Sequence, residues 1–150
     1  MNILVKLNIP FQIAGGLAAI TYGANRPLKD IDIDIPEECF SFIQDEVKDF
    51  IMYGPAQFKD DTWDLMLMTL TYNGQLIDLS GAFNTKIFNK NTKEWQPCHV
   101  DFSKAEIQKC FDLEVPVIPK DDLLFYKKII ARPVDLIDVA QIEQQDDSDK

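Results

Sequence analysis

The chain has 150 residues, 46% of them hydrophobic and 27% charged, with a formal net charge of −10. That length supports one domain with a core of its own. The acidity disfavours nucleic acid and anionic membrane as partners, and no apolar run reaches the ~18 residues of a membrane-crossing helix.

The opening stretch MNILVKLNIPFQIAGG carries one lysine and is interrupted by Pro10. It makes a poor signal peptide, so the expected location is cytoplasmic. Residues 2–8 read as a short helix, and Phe11 to Ala14 as a short buried strand ending at Gly15-Gly16. Leu17 to Gly23 has helical composition with a glycine stop. The run DIDIDI, Asp30 to Ile35, alternates strictly and predicts a strand with one charged and one apolar face. After it, PEECFSFIQDEVKDFI places proline and acids at a helix start and spaces Phe40, Ile43, Val47 and Phe50 helically.

Thr62 to Tyr72 is apolar on both faces and predicts a central strand, and Asn73-Gly74 is a hairpin turn signal leading into a partner strand, QLIDLSG. Residues 84–103 are rich in turn formers, with one further strand expected near WQPCHVDF. A short helix is expected from Ser103 through SKAEIQKCFDL, then a loop and two helices broken at Pro133. The pattern is α+β, a mixed or antiparallel sheet flanked by helices. Residues 1–142 read as one domain and 143–150 as an acidic flexible tail. Cys39, Cys98 and Cys110 are odd in number and widely spaced, suggesting neither a disulfide framework nor a metal-binding pair. The lone histidine, His99, reads as structural, and Trp63 and Trp95 as core or pocket wall.

Asp30, Asp32 and Asp34 share one strand face. Neighbouring carboxylates about 7 Å apart repel by roughly 2–3 kcal/mol at an effective dielectric of about 20. Water alone can screen such a face, and an amphipathic strand with a solvated side remains one reading. Asp is nevertheless depleted in strands, and a divalent cation would remove the repulsion, since Mg²⁺ takes hard oxygen ligands. Gly15-Gly16, between a strand and a helix, offers backbone N–H groups to an anion. A plain turn explains a glycine pair equally well. P-loop and dinucleotide fingerprints are absent.

Together, AGGLAAITYGANRPLKDIDIDI resembles the signature of the DNA polymerase β-type nucleotidyltransferase superfamily, closest to the group holding AbiEii-type toxins and aminoglycoside and lincosamide nucleotidyltransferases. The matching positions are Gly15, Gly16, Gly23, Arg26, Asp30 and Asp32; Leu28 departs from the threonine common there. The resemblance implies a palm-like nucleotidyltransferase sheet with Asp30 and Asp32 as metal ligands and Asp34 supernumerary. A register using Asp32 with Asp34 is the alternative. It also implies a third carboxylate on a neighbouring strand, for which Asp78 is the candidate, as metal ligand or general base. Gly15, Gly16, Arg26 and Lys127 would bind nucleotide, and Arg132, Asp135 and Asp138 would form a supporting network.

The implied activity is Mg²⁺-dependent transfer of NMP from an NTP, with a two-metal site, to a hydroxyl of a small molecule or protein. Many relatives carry an added helical domain, so a homodimer partner is the candidate to complete the acceptor site here. The competing reading is a non-catalytic module of the same fold, serving as a nucleotide sensor or toxin–antitoxin partner.

Overall fold

Alternation along DIDIDI does produce a strand, β2 (Asp30–Ile35). Its isoleucines Ile33 and Ile35 are buried in the core, and its aspartates line the opposite face. In the computed structural model, which describes residues 2–148, β2 lies near the middle of a nine-stranded mixed sheet. It pairs antiparallel with β1 (Gln12–Ala14) and parallel with β5 (Gln75–Gly81). β5 returns antiparallel on β4 (Trp63–Tyr72) through Asn73 and Gly74, both at positive φ (50° and 80°). Two consecutive left-handed residues match the right-handed twist of the flanking strands, which is why Asn-Gly suits this hairpin.

The other edge of β4 carries β3 (Ile51–Lys59). The start of β4, at Trp63 and Asp64, pairs with β6 (Lys86–Asn89), which pairs in turn with β7 (Glu94–Pro97). On the far side, β1 runs parallel to β9 (Leu113–Val117), which forms a hairpin with β8 (Glu106–Cys110). Helices α1 (Asn2–Lys6), α2 (Gly15–Thr21), α3 (Phe40–Gln44), α4 (Lys120–Ile130) and α5 (Pro133–Ser148) complete the fold. No helix among the described residues is long and apolar enough to cross a membrane.

The helix expected over 36–51 breaks into 3₁₀ turns at Glu37–Cys39 and Lys48–Phe50 on either side of α3. Phe40, Ile43 and Val47 keep their buried face, but Phe50 is 39% exposed and Ile51 already opens β3. β3 escapes a local reading because Gly54-Pro55 interrupts it, at a point where its register on β4 shifts. Gly54 has φ +74°, and a Cβ there would overlap the Leu67 carbonyl.

The helix expected from Ser103 is a second correction. Only Phe102–Lys104 forms a 3₁₀ turn, capped by Asp101 on the Ser103 N–H, and the chain then enters the β8–β9 hairpin. Pairing with β9, whose Val115 and Val117 are buried beside β1, outweighs the helical composition of EIQKC. At the other end, α5 continues through the stretch read as a tail as far as Ser148. Ion pairs to α4 hold it there: Lys128–Glu143 and Lys120–Asp146, each at 2.6 Å. Residues 149 and 150 lie outside the described residues.

Helix α4 is anchored by Leu123, which is fully buried. Leu123→Ala is expected to lower unfolding free energy by about 3 kcal/mol in urea titration. Phe111→Ser, at a 70% exposed position, should change it by about 0.5 kcal/mol or less.

Candidate functional site

Register brings the carboxylates together. Asp32 lies directly beside Asp78 in the parallel β2–β5 pair, and Asp30 is one period earlier on the same face. Carboxylate oxygens of Asp30, Asp32 and Asp78 lie within 4.8 Å of one another. Next along the sheet, Thr69 of β4 opposes Asp78 and its hydroxyl donates to Asp78 Oδ1 at 2.7 Å, fixing that carboxylate. Burial, then the Asp30, Asp78 and Asp34 carboxylates, push the Asp32 carboxyl up to about 8 despite the Lys127 ammonium. Asp78 is also raised, chiefly by burial, against the lowering effect of the Thr69 bond.

Asp34 does not join this group. It sits further along β2, where Gln12 Nε2 donates to its Oδ2 at 3.0 Å. Of the two registers open from sequence, the geometry gathers Asp30 with Asp32.

The glycine pair has a steric task besides its turn. Gly15 adopts φ +59°, and a Cβ there would overlap Asp32 Oδ2. Its N–H donates to the Tyr126 hydroxyl at 3.0 Å. A Cβ on Gly16 would lie 2.8 Å from Arg26 Nη2. Both glycines therefore let charged side chains close against the β1–α2 turn.

Behind the carboxylates lies a second network. Arg26 clamps Asp138 in bidentate fashion, Nε to Oδ1 at 2.9 Å and Nη2 to Oδ2 at 3.1 Å. Lys127, only 1% exposed, reaches Asp135 at 2.9 Å and Asp138 at 3.2 Å. Arg132 bonds Asp135 through Nε at 2.7 Å. Burial opposes the charge on Asp135, but the Arg132 hydrogen bond and the Lys127 ammonium hold its carboxyl below the ordinary range. The expected supporting network of Arg132, Asp135 and Asp138 exists, and it also absorbs Arg26 and Lys127.

The acidic cluster and the three cations border one cleft of about 730 Å³, whose wall includes Gly15, Gly16, Arg26, Asp30, Asp32, Trp63, Thr69, Asp78, Tyr126, Lys127 and Arg132. Trp63 meets Tyr126 edge-on at 6.0 Å, so of the two tryptophans this one forms pocket wall. Trp95 packs on Phe88 instead, with Lys59 over its ring. His99 stacks on Phe83. Sequence reasoning missed Tyr126, Thr69 and Gln12. The available signal was weak: one of two threonines in β4 and a tyrosine beside the singled-out lysine.

Neither a protein-family profile nor a curated protein sequence matches the chain. Solved structures do. A Thermotoga maritima protein (TM1012) assigned as a nucleotidyltransferase superposes with TM-score 0.63 at 15% identity, over 99% of this chain and 92% of that one. The lincosamide antibiotic adenylyltransferase LnuA, bound to lincomycin, gives 0.60 at 13% identity, over 95% and 90%. ANT(2″)-Ia in complex with adenylyl-2″-tobramycin gives 0.58 at 15% identity, over 95% and 82%. The chain thus has the fold of nucleotidyltransferases.

A carboxyl raised in the folded state favours folding when protonated. Its contribution is fully present below about pH 4 and is lost as pH rises toward 8. Metal-free protein in EDTA is therefore expected to lose stability between pH 5 and 8, whereas Asp32→Asn, in which Asp34 and Asp78 remain raised, loses less and exceeds wild type at pH 8 by about 2 kcal/mol. Urea midpoints across that range test this. Parallel curves for the two proteins would contradict it.

Proposed function

We propose that the chain is a divalent-metal-dependent nucleotidyltransferase that moves NMP from an NTP to a hydroxyl acceptor. The observation that carries this is the clustering of Asp30, Asp32 and Asp78 within 4.8 Å in a cleft of this fold. The donor set fits Mg²⁺: three clustered hard carboxylates, with Asp32 and Asp78 raised in proton affinity, gain most from a hard cation. Asp30, Asp32 and Asp78 would hold it, with enough oxygens for two ions. When bound, the metal would supply charge neutralisation at the transferring phosphoryl group.

The chain's own residues have separable tasks in this reading. The Gly15-Gly16 turn borders the carboxylates closely enough for the triphosphate to be held against it. Arg26 and Lys127, each already bonded to buried aspartate, would add positive field at the phosphates. The Asp78 carboxylate, oriented by Thr69, takes the acceptor proton; its raised proton affinity makes it a stronger base than an ordinary carboxylate. Trp63 and Tyr126 form an aromatic wall that would exclude water from the reacting atoms.

For the acceptor, the structural neighbours favour a small molecule: one was solved with lincomycin and another with adenylylated tobramycin. The kinship to AbiEii-type toxins rests on the sequence motif alone. A second copy of the chain is the proposed source of any missing acceptor wall. The engagement of both Arg26 and Lys127 by aspartate favours one second reading, a module that binds nucleotide without turning it over.

Incubation with labelled ATP, GTP, CTP or UTP, Mg²⁺ and a cell extract is expected to yield a labelled product. Asp78→Asn should slow labelling by about 10²–10⁴-fold. Equal labelling by wild type and Asp32→Asn would refute transfer, and nucleotide binding without product would establish the binding-only reading. A separate check uses Gly15→Ala, whose methyl displaces the Asp32 carboxylate. It should abolish the Mg²⁺-induced rise in Tm that wild type shows.

A further inference from the structure

The cleft is divided by charge. Its charged residues come from one side: Arg26 and Lys29 precede β2, Asp30, Asp32 and Asp78 lie on β2 and β5, and Lys127 and Arg132 belong to α4 and the turn after it. The other side is built by β3 and β4, which contribute Phe58, Trp63, Leu65, Leu67 and Thr69. Among the described residues, no charged residue of either strand borders the cleft.

Strand register produces this division. Leu67 pairs with Ser80 and Thr69 with Asp78, so both share the face of the acidic cluster, and Phe58 joins them opposite Leu65. Lys59 and Asp64 pair with each other one residue out of step, on the reverse face. There Asp64 accepts from Gln57 Nε2 at 2.8 Å, and Lys59 lies over the Trp95 ring. Phe58, Trp63 and Leu67 are half-buried, which leaves apolar surface open to the cleft.

The direction of attack gives this wall a task, a step that rests on the nucleotidyl-transfer reading. In-line displacement sets the attacking oxygen opposite the leaving pyrophosphate. With the triphosphate against Gly15-Gly16 at the end of β1, the sheet continues through β2, β5 and β4 to β3. The side opposite pyrophosphate therefore lies past Asp78, over β4 and β3. The acceptor oxygen bonds the α-phosphorus as the bond to pyrophosphate breaks, and its proton passes to Asp78.

We propose that the β3–β4 wall is the acceptor subsite and that it selects a hydroxyl compound with an apolar ring face, seated on Phe58 and Leu67. Such a face gains by leaving water. A polyammonium acceptor finds no carboxylate of β3 or β4 bordering the cleft, and burying an unpaired charge is costly.

Saturation-transfer NMR of the full chain with Mg²⁺ and α,β-methylene-ATP tests this without turnover, using phenyl β-glucoside, methyl β-glucoside and glucosamine as probes. Phenyl β-glucoside is expected to bind saturably, and the other two at least tenfold more weakly. Phe58→Ser and Leu67→Ser should each weaken its binding fivefold or more, so one decides the matter if the other fails to fold. Phe111→Ser, at an exposed position outside the cleft, should leave it within twofold. Affinity for α,β-methylene-ATP should stay within twofold in Phe58→Ser. No binding of phenyl β-glucoside, equal binding of either other probe, or unchanged affinity in both wall variants would overturn the proposal. So would a tenfold loss of nucleotide affinity in Phe58→Ser, which would assign the wall to the base instead. Glucoside binding that follows these expectations in a chain that binds no nucleotide would refute the transfer reading alone and keep the wall as a site for this ligand class.

Discussion

Repulsion among carboxylates on β2 and β5 is the constraint around which the remaining structure is arranged. The two-residue period of a strand puts Asp30 and Asp32 on one face, and the parallel register adds Asp78 beside them. Every neighbour then has to accommodate concentrated negative charge. Gly15 withdraws its side chain entirely, Thr69 donates a hydrogen bond, and Tyr126 turns its hydroxyl to the Gly15 N–H. The cluster still pushes Asp32 far above an ordinary carboxyl. A stability-optimised sheet would not place three acids there, and such a departure from local consistency is what a functional site imposes on a fold.

The compensating positive charge is not placed against these carboxylates directly. Arg26, Lys127 and Arg132 all bond first to Asp135 and Asp138, both fully buried on α5. Three cations against two carboxylates leave the network net positive, and its field reaches Asp32 through Lys127. Removing one partner from such a buried pair is strongly destabilising, because the other is left as an uncompensated charge. The same contacts pin α4 and α5 to the Arg26 loop. Structural cohesion and positive field at the cleft therefore come from the same five side chains.

What was legible in the sequence was local. DIDIDI carries its own period, Asn73-Gly74 its own turn chemistry, and Pro133 its helix start, so β2, the β4–β5 hairpin and α5 are all where local rules put them. The acidic trio was found because the resemblance supplied the partner strand. Elements whose identity is decided by a distant partner were misread. EIQKC becomes a strand only because β9 is held beside β1, and β3 only because β4 offers an edge. Tyr126, Thr69 and Gln12 carry no signal of their own, since their roles arise from what the tertiary structure sets opposite them. For Lys127 the position was readable, but its burial between two aspartates was not.

Asp34 shows how one pattern divides into two environments. It has the same residue type, strand and face as Asp32, yet its antiparallel partner is Gln12 rather than Ala14. At Asp32 the opposing position is small and the next residue is Gly15, so the carboxylate opens toward the cleft. At Asp34 the opposing amide donates a hydrogen bond that holds the carboxylate against β1. Once Gln12 spends its amino group on Asp34, its carbonyl oxygen necessarily faces away. The third aspartate of the run is thus the reason that the Gln12 amide is held as it is, and a regular alternation in sequence ends in two chemically different environments on one sheet face.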